Sequence, residues 1–286
     1  MDDRHETRND DENGLVEQLA EEIRRRRVIL FAGAGLSAEL GLPSWEAFIG
    51  RLGPDLGFDP EAFLSLSTDF RSLAEYYRLK KGSIDGLRER MARDWAVPDD
   101  TLAASDAHRL IVRLGFPLIY TTNYDALLER AFKLHGVAVN KATTAKDIAS
   151  LDPNLTTIVK FHGDLEEGGS LVLTETDYFR RLAFQDPLDI QLMADALGRG
   201  VLFLGYSVSD VNLRLLLFRL REIWLESGQS ESRPRSYIVM TRPDPIQERI
   251  LDSLGVTPLI GSRGNANGEA AALLTFLKRL AALVRL

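Results

Sequence analysis

The chain has 286 residues, 45% of them hydrophobic and 27% charged, with a formal net charge of −7 and no cysteine. That length suits one large globular domain or two small ones, and the missing cysteines exclude a disulfide framework and any Cys-ligated zinc or iron–sulfur site. No apolar run reaches the ~20 residues of a membrane span, the polar start MDDRHETRNDDENG is no secretory signal, and the acidic balance argues against a general nucleic-acid binder, so a cytoplasmic location is expected.

Residues 1–14 read as a disordered acidic tail and 15–286 as the folded unit. Leu15, Val16, Leu19, Ala20 and Ile23 recur at helical spacing and lead into Arg24–Arg27, four cations that suit a helix C-terminus or a phosphate contact. Val28–Ala32 is a buried strand, followed at once by Gly33-Ala34-Gly35 and a short helix that Gly41-Leu42-Pro43 ends. From Trp45 to Phe116 no strand-like run occurs. Residues 54–105 instead read as a helical insertion, with Phe63, Phe70, Leu73, Tyr77, Leu87 and Met91 at helical spacing. Further strands are predicted at Phe116–Thr121, Gly136–Lys141, Thr156–Phe161, Gly200–Leu204, Tyr237–Thr241 and Thr257–Ile260, with a short edge strand at Leu171–Leu173. Thr174-x-x-Asp177 has the form of a capping box, and Ser207-x-x-Asp210 is placed to cap a long apolar helix. Strands alternating with helices give an α/β class, a Rossmann-like mainly parallel sheet flanked by helices, with the helical insertion after the first βα unit and no zinc ribbon.

In such a sheet the ligand sits at the carboxyl ends of the strands. Four predicted strands end in distinctive residues: Gly33-Ala34-Gly35, with Ser37 just beyond; Thr121-Thr122-Asn123-Tyr124-Asp125; His162-Gly163; and Gly205-Tyr206-Ser207. The spacing Gly33-x-Gly35-x-x-Ala38 fits a phosphate-binding turn, in which glycines admit close approach and free helix N–H groups face the anion, and it fits a structural turn as well. Asn123 suits an N-cap, Asp125 the start of a helix dipole, His162 a polar turn and Ser207 a cap. The acidic ribose ligand expected on the second strand of a simple dehydrogenase unit is missing.

Taken together and in this order, these segments resemble the sirtuin superfamily. Gly33-Ala34-Gly35-Leu36-Ser37 with Gly41-Leu42-Pro43 is similar to its GAG-x-S…G-x-P segment, and His108 through Thr121-Thr122-Asn123-Tyr124-Asp125 to its AH-x-x-L…TQN-x-D segment. Phe161-His162-Gly163 matches its HG motif, and Gly205-Tyr206-Ser207 takes the place of its GTS. The resemblance implies NAD as ligand and substrate, with no metal. It implies Gly33, Ala34 and Gly35 at the pyrophosphate, Asn123 at the nicotinamide ribose and a water, Asp125 at the carboxamide, His162 as base, and Ser37, Thr122, Gly205, Tyr206 and Ser207 in the cofactor-binding shell. The zinc cysteines of protein-deacylating sirtuins are absent, Pro43-Ser44-Trp45 replaces their P-x-F-R, and Thr122 replaces a glutamine. These departures resemble the bacterial sirtuin-like domains that hydrolyse NAD in anti-phage defence. The expected function is therefore an NAD glycohydrolase releasing ADP-ribose and nicotinamide, activated by a partner or by homo-oligomerisation. A separate sensor such as a hexameric translocase-type ATPase or an Argonaute-type protein is the implied partner, and nucleic acid enters only indirectly. The alternatives are an NAD/ADP-ribose-binding assembly subunit and an ADP-ribosyl transferase or deacylase.

Overall fold

A computed structural model describes residues 3–166, 171–206, 210–261 and 268–285, with side chains from residue 12 onward. Seven strands, β1 (Val28–Ala32), β2 (Leu118–Thr121), β3 (Val139–Ala142), β4 (Thr156–Lys160), β5 (Gly200–Leu204), β6 (Ser236–Met240) and β7 (Val256–Ile260), form one sheet in the order β3-β4-β2-β1-β5-β6-β7. Every pairing is parallel, which is the Rossmann-like α/β sheet expected from the alternation of elements. β1 lies at its centre. Ile29 pairs with Leu118 of β2 on one side and Val201 of β5 on the other. The chain lays β2 beside β1, goes out to the edge with β3, fills the gap between them with β4, and then crosses back to start the other half at β5. The strand order therefore reverses between β1 and β5, where ligands bind in such sheets.

The sequence of β1 explains its place. Successive side chains of a strand point to opposite faces. Val28, Leu30 and Ala32 enter one core, shared with helices Asp3–Arg24, Asp106–Leu114, Leu127–Leu134 and Glu269–Val284. Ile29 and Phe31 enter the other, shared with helices Pro187–Gly198, Val211–Glu226 and Pro245–Ser253. Helix starts carry their signals: the Thr174–Asp177 capping box is formed, Ser105 accepts from the His108 N–H, and Asp210 accepts from the N–H groups of Asn212 and Leu213. Each cap satisfies first-turn donors that the helix itself leaves unpaired.

The insertion packs with helix Trp45–Gly50 around a separate core. Helices Trp45–Gly50, Pro60–Ser65, Phe70–Lys81 and Asp85–Asp94 enclose Phe48, Ile49, Phe63, Leu73, Leu87 and Met91, and this cluster takes in Tyr124 from the β2 tip. Leu102, from the following helix Asp99–Ala103, packs instead in the sheet-face core. Two expectations need correction. Leu171–Leu173 is no strand. Leu171 and Leu173 turn into the insertion core, and the Val172 N–H donates to the His162 carbonyl while its own carbonyl accepts the Tyr124 hydroxyl. Side-chain burial against helices, not a ladder, decided that segment. At the N-terminus the helix begins at Asp3, inside the stretch that sequence reads as a tail. Among the described residues no helix is long and apolar enough to cross a membrane.

Candidate functional site

The carboxyl ends of β1, β2, β4 and β5 meet beneath the helical insertion around a cavity of about 430 Å³, a size typical of small-molecule sites. Ala34, Ser37, Thr122, Asn123, Asp125, His162, Gly205 and Tyr206 all line it. The structure thus brings nearly all the sequence-predicted residues to one hollow. Gly33 and Gly35 do not line it, and Ser207 lies outside the described residues.

The glycines do something other than expose free N–H groups. The Gly33 N–H donates to the Leu204 carbonyl and the Gly35 N–H to the Gly205 carbonyl, both at 2.9 Å. A Cβ on Gly33 would stand 2.4 Å from the Gly205 oxygen, and one on Gly35 would stand 2.8 Å from the Gly205 Cα. These residues are glycine because the β1 and β5 tips touch at the switch point. Gly205 itself has a φ of +62°, the left-handed region that glycine adopts freely.

Asn123 is buried at the β2 tip and is no N-cap. Its Nδ2 donates to the Gly33 carbonyl at 3.2 Å and to Ser37 Oγ at 3.0 Å. Ser37 Oγ passes the bond on to Asp125 Oδ2 at 2.8 Å, and Asp125 Oδ1 accepts the Leu127 N–H at 3.1 Å. Asn123 Oδ1 has no hydrogen-bond partner among the described residues. The amide is therefore held by its nitrogen and offers its oxygen, while Asp125 is an anchor with both oxygens engaged. Beneath them the fully buried Lys160 donates to the Asp125 carbonyl and pairs with Glu129 at 3.2 Å. Burial raises the Glu129 carboxyl and the Lys160 charge opposes that rise.

His162 follows β4 and is 3% exposed. Its Nε2 lies 3.5 Å from Asp210 Oδ2, and its ring meets Tyr178 edge to face at 5.5 Å. Just before it, Arg181 donates to the Phe161 carbonyl at 2.8 Å and is paired with the buried Asp189, so the backbone leading into the imidazole is pinned. Burial pushes the His162 pKa down to about 4. Asp210 opposes this shift and Arg181 adds to it. At neutral pH the imidazole is uncharged, the form that accepts a proton. Asp210, Tyr178, Tyr124, Asp69 and Arg71 are site residues that the sequence reading did not include. Of these, Asp210 carried a signal there as a helix cap, and Tyr124 only by lying inside the Thr121–Asp125 run.

A second buried histidine, His108, bonds through Nδ1 to Ser105 Oγ at 2.9 Å, leaves Nε2 unpartnered, and is likewise lowered to about 4, mainly by burial. For both histidines the folded pKa lies below the ordinary value of 6.5. The unfolded chain therefore binds their protons first, and stability falls as pH drops from about 6.5 towards 4, by roughly 3 kcal/mol per histidine at the full shift. Glu129 acts in the opposite sense. The useful measurement is accordingly the difference between wild type and His108→Gln in urea denaturation at pH 7 and pH 5. The variant is expected to lose less stability on acidification.

A family model described as "SIR2-like domain" matches residues 117–259. The chain is 31% identical over 250 residues to a protein of Enterococcus faecium named "NAD(+) hydrolase ThsA", covering 85% of this chain and 48% of that one. It is 27% identical to the protein of the same name from Bacillus cereus (strain MSX-D12), covering 82% of this chain and 48% of that one. "Defense-associated sirtuin 2" of Bacillus subtilis is 25% identical over 84% of this chain and 24% of its own length. The chain spans about half the length, or less, of these relatives. The family match begins just before β2, takes in Asn123 at its tip and the His162 turn, and ends in β7, and the chain belongs to the SIR2-like domain family.

Proposed function

We propose that this chain is an NAD glycohydrolase that cleaves the nicotinamide–ribose bond of NAD with water to give ADP-ribose and nicotinamide. The observation that carries the reading is the convergence of Asn123 and His162, from separate strand tips, on one cavity. The two relatives named NAD(+) hydrolase support it.

The residues suit that reaction. Breaking the bond builds positive charge on the ribose, and nicotinamide leaves as a neutral molecule, so no strong acid is required. Positioning and a base are what the protein supplies. Asn123 Oδ1 accepts from the attacking water or a ribose hydroxyl. The water oxygen bonds to the anomeric carbon, and its proton passes to the neutral His162. Asp210, fixed by two backbone N–H groups of its helix, then faces the imidazolium and stabilises it. Trp45 and Trp95, whose ring centres lie 6.3 and 6.4 Å from that of Tyr124, form with it an aromatic wall offering flat faces to a base or a pyridinium ring.

Asn123→Ala removes the positioning oxygen and the Gly33–Ser37 link. It is expected to lower nicotinamide release by about 10²-fold or more at unchanged fold, read by chromatography of NAD digests. Binding of NAD with no cleavage under any activating condition would favour a sensing subunit instead. In the cell we assign the activity to anti-phage defence by NAD loss, in the cytoplasm, triggered by a separate sensor protein or by assembly of several copies. The name of the Bacillus subtilis relative supports the defence role.

A further inference from the structure

Among the described residues the wall of the cavity carries three carboxylates, Asp69, Asp125 and Asp210, and one cationic side chain, Arg71. A dinucleotide brings two phosphates to that wall. Asp125 and Asp210 are committed to Ser37 and to backbone N–H groups. Asp69 likewise caps its helix, accepting the Arg71 backbone N–H at 2.9 Å, but it also pairs with the Arg71 side chain, the cation of this wall.

Arg71 stands in the first turn of helix Phe70–Lys81, part of the insertion. Its Nε and Nη2 grip Asp69 at 2.9 and 2.8 Å, fork to fork. Its guanidinium carbon lies 5.2 Å from the centre of the Tyr178 ring, the same ring that packs on His162. Nη1 has no hydrogen-bond partner among the described residues, and the side chain is about one-third exposed, at 32%. A guanidinium laid on an aromatic face with spare donors is arranged for a second oxyanion, and its planar fork matches phosphate as well as carboxylate.

Resting on the dinucleotide reading above, we propose that Arg71 binds the substrate's pyrophosphate, and that Asp69 is a resident anion holding the guanidinium until phosphate displaces it. The insertion thereby supplies a cation to the cavity wall. It also explains why two glycine N–H groups of the first turn can be spent on the β5 tip.

The test is calorimetric titration of ADP-ribose and of NAD into wild type, Arg71→Ala, Arg71→Lys and Asp69→Asn, with circular dichroism to confirm the fold. Arg71→Ala is expected to weaken ADP-ribose by about 10–100-fold, the size of a lost charged hydrogen bond. Arg71→Lys, which keeps the charge and loses the fork, should fall between and covers a failure of the alanine variant to fold. Asp69→Asn keeps a capping side chain and is expected to tighten ADP-ribose several-fold, a result that a merely structural pair does not give. Wild-type affinity in folded Arg71→Ala overturns the role of Arg71 and leaves the dinucleotide reading standing. Unchanged affinity in Asp69→Asn overturns the displacement. A wild type that binds neither ADP-ribose nor NAD overturns the reading beneath both.

Discussion

Replacing His162 by alanine is expected to lower nicotinamide release by about 10²–10⁴-fold, the range of a general base. The imidazole is buried, faces Asp210 and is held neutral by its surroundings. Removing it takes away the proton acceptor while the Asn123–Ser37–Asp125 chain stays intact. The variant should therefore retain NAD binding and lose turnover. In wild type the acid limb of the kcat/KM profile should lie near pH 4, well below the 6.5 of an exposed histidine. A folded His162→Ala protein with full turnover, or a wild-type acid limb centred near 6.5, would remove His162 from the mechanism as drawn.

Gly33→Ala is the second large effect. The backbone of Gly33 has a φ of −114°, which alanine adopts readily, so conformational strain is not the cause. Space is. The added methyl would stand 2.4 Å from the Gly205 carbonyl oxygen and 2.6 Å from the Tyr206 ring, and the obstacle is largely backbone. Forcing the β1 and β5 tips apart is expected to cost about 1–3 kcal/mol of stability, the usual range for overpacking. It also moves the carbonyl that Asn123 Nδ2 bonds, so activity should fall with stability. The control is Gly14→Ala, in helix Asp3–Arg24, where a methyl meets nothing within 4 Å. That change should stabilise by about 0.5–1 kcal/mol through helix propensity alone. Urea denaturation of the three proteins reads both effects. Equal stability of Gly33→Ala and wild type would show that the tips can separate freely.

Local pattern determined the elements that depend on local rules. VILFA has too few residues for a helix and is apolar throughout, so it is a strand buried on both faces. Thr174-x-x-Asp177 carries its own start signal, and the box is formed. The order of strand tips ending in Gly33-Ala34-Gly35, Asn123, His162 and Gly205 is also a property of the chain. A parallel sheet places all carboxyl ends on one edge, and that rule was enough to gather the site from sequence.

What the sequence could not determine is what each tip does with its neighbours. Whether the N–H groups of Gly33 and Gly35 are free depends on β5, a partner remote in the chain. Leu171–Leu173 is an apolar triplet that reads as a short edge strand, yet the insertion offers its two leucines an apolar core, and burial outweighs pairing there. Arg71 and Asp69 have no motif at all. They reach the cavity because the insertion folds over the sheet edge around Tyr124, and only packing in three dimensions sets where a helix of generic pattern comes to rest.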